Sequence, residues 1–423
     1  MVYKLHKNGS FNIHTIKTDR FKNIRMEIMF RNNIDVSSVH KRTVLFDMLM
    51  ETSADYKTKR DISLKLEELY NAVCYATTIR IGNEVLSSIS LDFLNPKYTE
   101  EDYLADALKL PFDLIFRPNI TDNEFNNETL EVIKSRIISD IKCLHEDPQR
   151  SALIKGLKAF DKESVSSINL SGSEEKIGEI TSSNLYDTYQ DILTHDYIDI
   201  FIIGDFDESE VISKIIEYAS FKTIKTHELT MEVKNKTTKK VKEVTEESHF
   251  SQSQILFILN TIDLTDYEKK YPFIIYNMIL GGGSLETKLY HTLRDENSLC
   301  YNVQSLFQKN DNLELIITAV DESNENKTKS LINSTIKEME NKVSDDEVKR
   351  AVSAIISSIN MSLDSPDRII DNYLFQYLNS IDDIETRINE FKKVTKNDVM
   401  KIAHKVKLNT IYILRGGADN GED

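Results

Sequence analysis

The 423-residue chain contains no tryptophan, only 12 glycines and 6 prolines, and three cysteines. So few chain breakers exclude collagen-like and low-complexity architectures and leave long elements joined by few turns. Cys74, Cys143 and Cys300 lie far apart and are odd in number. That excludes a disulfide framework and a thiolate zinc ligand set, and it leaves three free thiols in a reducing compartment. No uncharged apolar run approaches the ~18 residues of a membrane span, and the opening Met-Val-Tyr-Lys-Leu-His-Lys-Asn-Gly has no apolar leader core. A soluble, cytoplasmic protein without a membrane partner is expected. Positive charge is scarce as well: Lys+Arg 53 against Asp+Glu 69 gives a net charge of -16, with no Lys/Arg-rich block. Such a chain repels phosphate backbones, which argues against a nucleic-acid partner.

What is present is a globular composition, with 40% apolar residues and a length that predicts two or three domains at roughly 150 residues each. Two stretches, Ile198 to Phe206 and Thr410 to Leu414, read as buried strands that each close a unit after an amphipathic helical pattern. Between them, residues 222–248 are polar and Lys- and Thr-rich, a linker with room for one edge strand. The expected domains are therefore 1–221 and 249–423.

The two halves repeat one order of elements. In the first, Arg25 to Phe30 alternates as a strand, Val44 to Met50 is an apolar helix, Thr58 and Asp61 open a second helix, and a strand pair follows at Val73 to Ile81 and Val85 to Phe93. In the second, Gln254 to Leu259 is the strand, Tyr271 to Leu280 the apolar helix, and a helix from about Leu285 to Leu293 precedes strands at Tyr301 to Phe307 and Leu313 to Val320. Long helices close each half, such as Glu124 to Leu144 and, opened by a Ser344/Glu347 capping box, Ser344 to Met361. The fold class is α+β, one unit used twice, each an antiparallel sheet with packed helices.

Chemistry is sparse. None of the nine histidines stands three or four residues from another. His145-Glu146 and His227-Glu228 lack the second histidine of H-E-x-x-H, since Gln149 and Met231 occupy its place, and they read as solvated surface pairs. There is no G-x-S-x-G elbow, and Cys300 reads as a small core residue at a helix-to-strand junction. Gly281, Gly282 and Gly283 lack the Gly-Lys-Ser/Thr of a phosphate loop and read as a helix stop that permits close backbone approach. Beyond them Arg294 ends a helix and Tyr301 begins a strand, so both can face one cavity. The plainer alternative is an arginine complementing the helix dipole and pairing with Asp295 or Glu296, beside an ordinary strand aromatic.

The segment from Gly281 to Val303 resembles the signature of the C-terminal domain in the insulinase/pitrilysin zinc peptidases, family M16, where a Gly-Gly-Gly stretch, a helix, Arg-Glu and Leu-x-Tyr recur. Ser298 replaces the glycine usual in the turn. The resemblance implies two homologous domains of the LuxS/MPP-like metallohydrolase type, with Arg294, Tyr301 and Gly281, Gly282 and Gly283 binding the substrate peptide. Anchored on Arg60-Asp61-Ile62 and Leu69-Tyr70-Asn71-Ala72, the family's His-x-x-Glu-His window falls on Val44-Leu45-Phe46-Asp47-Met48, and its third ligand falls near Asp140. Val44 and Met48 stand where the histidines would, and Asp47 and Asp140 alone make a poor zinc site.

Further stretches, including Thr43 to Glu51, Leu66 to Asn71, Leu363-Asp364-Ser365 and Leu408 to Leu414, resemble the non-catalytic subgroup typified by the elongation factor P 5-aminopentanol modification-associated protein. The similarity runs over about residues 5–416. It implies a pseudo-peptidase subunit without a cofactor of its own. An active M16 relative carrying the zinc would be its partner in a heterodimer that encloses peptide, with a homodimer as the other assembly. The competing expectation is a peptide-binding or scaffold protein of an elongation factor P or peptide modification pathway, with no proteolytic role.

Overall fold

The computed structural model describes residues 1–222, 228–236, 240–283 and 285–417. The chain divides into two compact units, residues 1–143 with 168–231, and residues 144–167 with 232 onward.

The first unit opens with strands β1 (Val2–Asn8) and β2 (Phe11–Lys17), a hairpin turning at Gly9 with φ 55°. β3 (Asn23–Asn33) leads to helices α1 (Val39–Leu49) and α2 (Lys59–Glu68), the latter opened by the Thr58/Asp61 capping box. The strand pair β4 (Val73–Ile81) and β5 (Glu84–Leu94) follows, then helix α3 (Asn127–Glu146) and strand β6 (Tyr197–Gly204). The sheet order is β1-β2-β6-β3-β5-β4, antiparallel except for the parallel pair β2–β6.

Successive strand residues point to opposite faces, so Ile24, Met26, Ile28 and Phe30 of β3 and Ile198, Ile200 and Ile202 of β6 enter one core with Val44, Phe46 and Leu49. On the other face Arg31 and Asp199 are buried too, and there charge is matched: Arg31 pairs with Asp199 at 3.1 Å and Glu84 at 2.9 Å, and His14 Nε2 lies 3.1 Å from Asp199.

The second unit contains α4 (Pro148–Phe160), β7 (Lys242–Ser248), β8 (Ser253–Asn260), α5 (Pro272–Leu280), β9 (Val303–Gln308), β10 (Leu313–Val320), α6 (Asp345–Ser362) and β11 (Lys407–Gly416). Its sheet runs β9-β10-β8-β11-β7, again antiparallel apart from one parallel pair, β11–β7. Strand for strand, this repeats β4-β5-β3-β6-β2, and only β1 has no counterpart among the described residues.

Two boundaries differ from the sequence reading. The last seven residues of the expected 222–248 linker form β7, and Val233 already donates its amide to the Asn310 carbonyl at 2.7 Å. Residues 144–167, expected within 1–221, belong to the second unit. The reason is packing: Ala152 and Leu157 of α4 cluster with Leu256, Tyr412 and Leu414, and a Cβ on Gly156 would meet Leu256 Cδ2 at 2.5 Å. Any larger residue would have to push that buried leucine methyl aside. Ser166 Oγ then donates to Asp311 at 2.6 Å. With α4 on one face and the apolar residues of α5 and α6 on the other, β8 is buried at every residue. No helix among the described residues is long and apolar enough to cross a membrane.

Candidate functional site

Helix α1 carries Val44, Leu45, Phe46 and Met48 into the core, with Val44 and Met48 no more than 1% exposed. Asp47 and, one turn on, Glu51 share the remaining side. Arg136 of α3 reaches both, with Nη2 3.1 Å from Asp47 Oδ2 and Nη1 3.0 Å from Glu51 Oε1, while Lys59 Nζ stands 2.8 Å from the same Glu51 oxygen. These side chains line a cleft of about 400 Å³ with Ile62, Leu66, Cys74 and Tyr75. Burial pushes the Asp47 carboxyl above its ordinary value; Arg136 pulls against that, and the carboxylates of Glu51 and Asp140 add to it. Asp140, one turn beyond Arg136, is exposed.

These residues do not suit the zinc that the resemblance implies. Two of the four matching positions are apolar core, and a guanidinium holds a third. Among the described residues no group of three His, Cys, Asp or Glu side chains could hold a metal.

In the second unit Gly281 stops α5. Its carbonyl accepts from the Ser305 amide at 2.9 Å, and a Cβ there would meet Leu289 and Ser305 at 3.0 Å; Gly283 has φ 89°. Gly282 and Gly283 line a cleft of about 440 Å³ with Asn277, Gln304 and Leu306, but Arg294 and Tyr301 are not among its lining residues. The glycines thus have a sufficient local reason in the turn itself.

Arg294 and Tyr301 do come together. A helical turn, Lys288–Tyr290, runs into a π-helical turn, His291–Asp295, that places Arg294 beneath the start of β9. Its Nη1 donates to the Tyr301 carbonyl at 3.1 Å, and Cζ sits 5.0 Å from the Tyr290 ring centre and 4.7 Å from that of Tyr301. The guanidinium is held close to two aromatic rings, while Tyr301 remains 83% exposed. Asp295 pairs with His291 at 2.6 Å, so the Arg294–Asp295 pairing named in the plainer reading is not the contact formed. Ser298, where the family has glycine, takes φ 51°, the left-handed region that explains the usual residue.

Cys300 is partly buried against the core, and burial pushes its thiol up. His145 is exposed, and His227 lies outside the described residues. Sequence reasoning missed Arg136, whose only signal was one basic side chain beside the apolar stripe of α3. It also missed Glu314 of β10, a charge inside an apolar run, fully buried with its carboxyl pushed up to about 7.

A family profile described as Peptidase M16 inactive domain matches residues 179–355. A curated relative from Bacillus subtilis (strain 168), "Probable inactive metalloprotease YmfF", is 25% identical over 420 residues, covering 97% of each chain. The chain resembles the M16 peptidases. Both matches carry the description inactive, and the His-x-x-Glu-His motif has no counterpart in the sequence, so the resemblance is to non-catalytic members. The fold agrees. A conserved protein from Enterococcus faecalis V583 superposes with a TM-score of 0.92 at 23% identity, covering 99% of this chain and 100% of that one. A peptidase M16 inactive domain from Pseudomonas fluorescens gives 0.79 at 17% identity, covering 99% of each.

Proposed function

We propose that this chain is the non-catalytic subunit of a two-subunit M16-type zinc peptidase, a cytoplasmic heterodimer in which a zinc-bearing relative performs the hydrolysis. The observation that carries the reading is the contrast between its two signatures. The α1 window is filled by core side chains and an ion pair, whereas Arg294 and Tyr301 are assembled side by side with the tyrosine ring in solvent. Contact with the Tyr290 and Tyr301 rings and the hydrogen bond to the Tyr301 carbonyl restrain the guanidinium, so its remaining N–H groups meet a peptide carbonyl with little further loss of side-chain freedom. The Tyr301 hydroxyl supplies a second donor. The partner contributes the metal, the activated water and the general base; this chain contributes a wall and peptide-orienting groups.

The test is to mix the purified chain with an M16 relative that carries the full zinc motif and comes from the same cell, then follow light scattering and peptide hydrolysis. A stoichiometric complex with activity that neither chain has alone is expected. A relative that is fully active by itself, with no complex at micromolar concentrations, overturns the reading and leaves the scaffold role.

A further inference from the structure

We propose that Arg136 is a tethered cation standing in the place of the metal, its guanidinium cross-linking α1 and α3 through Asp47 and Glu51, so that restoring the missing ligands alone cannot restore metal binding. This rests on the reading that α1 and α3 carry the counterpart of the peptidase metal site; it needs no partner subunit.

Three observations converge. First, the pairing is bidentate in effect: one guanidinium meets two carboxylates, at 3.1 and 3.0 Å, on successive turns of the α1 side. Two carboxylates four residues apart repel each other, and a cation between them offsets that repulsion. Second, Arg136 sits one turn before Asp140 on α3, the helix that carries the third ligand in the resemblance, and Asp140 is close enough to act on the Asp47 carboxyl. The guanidinium therefore links α3, the helix of Asp140, to the Asp47 position of the α1 window. Third, the positions that would have given neutral imidazole donors are Val44 and Met48, which add apolar contacts to the core. One change thus removes the ligands, and the other supplies the positive charge that the ligands' loss would have left missing.

A divalent ion placed among these groups would face a fixed positive charge a few ångströms away, a repulsion that a solvent-lined cleft screens only in part. The metal and Arg136 are mutually exclusive occupants.

The experiment compares two chains. One carries Val44→His, Asp47→Glu, Met48→His and Asp140→Glu; the other adds Arg136→Gln. Zinc affinity is measured by competition with a chromophoric chelator, after circular dichroism has checked that both are folded. The five-fold variant should bind zinc more tightly than the four-fold one, by on the order of 100-fold or more. Equal affinity in the two chains, or no zinc in either, overturns the claim that Arg136 is the barrier. In the otherwise native chain, Arg136→Gln and Asp47→Asn should each lower the melting temperature, and the double variant should lose no more than the worse single one, with Arg136→Lys recovering part of the loss. Additive losses, or no loss from either, show that no cross-link exists and overturn the proposal independently of refolding by the redesigned chains.

Discussion

Helices α1 and α5 hold the same place in their units, each following the central strand of its sheet, yet the polar groups beneath them are neutralised in different ways. Beneath α1, Arg42 donates to Ser87 Oγ and to the Phe30 carbonyl, both at 2.9 Å, and pairs with Asp196, which also accepts from Asn32 at 2.9 Å. Arg42 is 5% exposed and Asp196 1%. Beneath α5 there is a carboxyl, and among the described residues no cation pairs with it. Ser305 Oγ donates to Glu314 Oε1 at 2.6 Å, and Asn277, with its amide turned to donate, reaches Ser305 Oγ at 2.7 Å and Glu314 at 3.3 Å. Glu314 Oε2 and the Tyr276 hydroxyl find no hydrogen-bond partner among the described residues. Burial raises the Glu314 value to about 7, so below that pH a proton does there what Arg42 does in the first unit. The ladder of hydrogen bonds fixes where strands and helices go, and either solution to a buried carboxyl fits the same ladder.

The largest effect should come from breaking the paired solution. Arg42→Leu leaves Asp196 buried without its cation and should cost about 3–5 kcal/mol of unfolding free energy, read from urea denaturation. A loss below about 1 kcal/mol would mean that Asp196 is satisfied by other groups.

A smaller effect, with a pH signature, belongs to Glu314. Its folded value lies above the ordinary 4.5, so between pH 4.5 and about 7 the unfolded chain ionises while the folded chain keeps its proton. Stability from this group is complete below pH 4.5 and is lost as pH rises through that window, by on the order of 3 kcal/mol. Glu314→Gln keeps the shape and cannot ionise, so the difference between variant and wild type should be small at pH 4 and should favour the variant at pH 8. A difference that does not change with pH would show that Glu314 does not hold its proton in the folded state.

Smallest is Ser298→Gly. Relieving a left-handed serine at φ 51° should raise stability by about 1 kcal/mol, visible as a higher melting temperature in calorimetry. An unchanged or lower value would show that the turn already accommodates serine without strain.

Local signals carried well from sequence to structure. β4 and β10 begin and end where alternation and apolar runs place them, at Val73–Ile81 and Leu313–Val320, and the boxes at Thr58/Asp61 and Ser344/Glu347 cap their helices. The first hairpin escaped although Asn8-Gly9 is a hairpin turn signal, because Lys4, His6 and Lys7 break the apolar alternation of β1. β7, KEVTEES, falls in the stretch where one edge strand was expected, but its bounds were not legible, because an exposed edge strand has no buried face to pattern. Which sheet receives α4 is not a local property at all; it depends on Leu256 and Tyr412, far along the chain, packing closely on Gly156. The candidate site divides in the same way. Asp47 stood out as a carboxylate in an apolar helix, whereas its partner Arg136 lies 89 residues away and carries no mark of the pairing. Arg294 and Tyr301, seven residues apart, were within reach of a spacing argument, and they do touch.

The most direct test of the account is the metal content and activity of the isolated chain. After incubation with zinc and gel filtration, elemental analysis should find no stoichiometric metal, and a mixed peptide pool should show no chelator-sensitive cleavage. One tightly held zinc per chain together with hydrolysis that a chelator abolishes would contradict it.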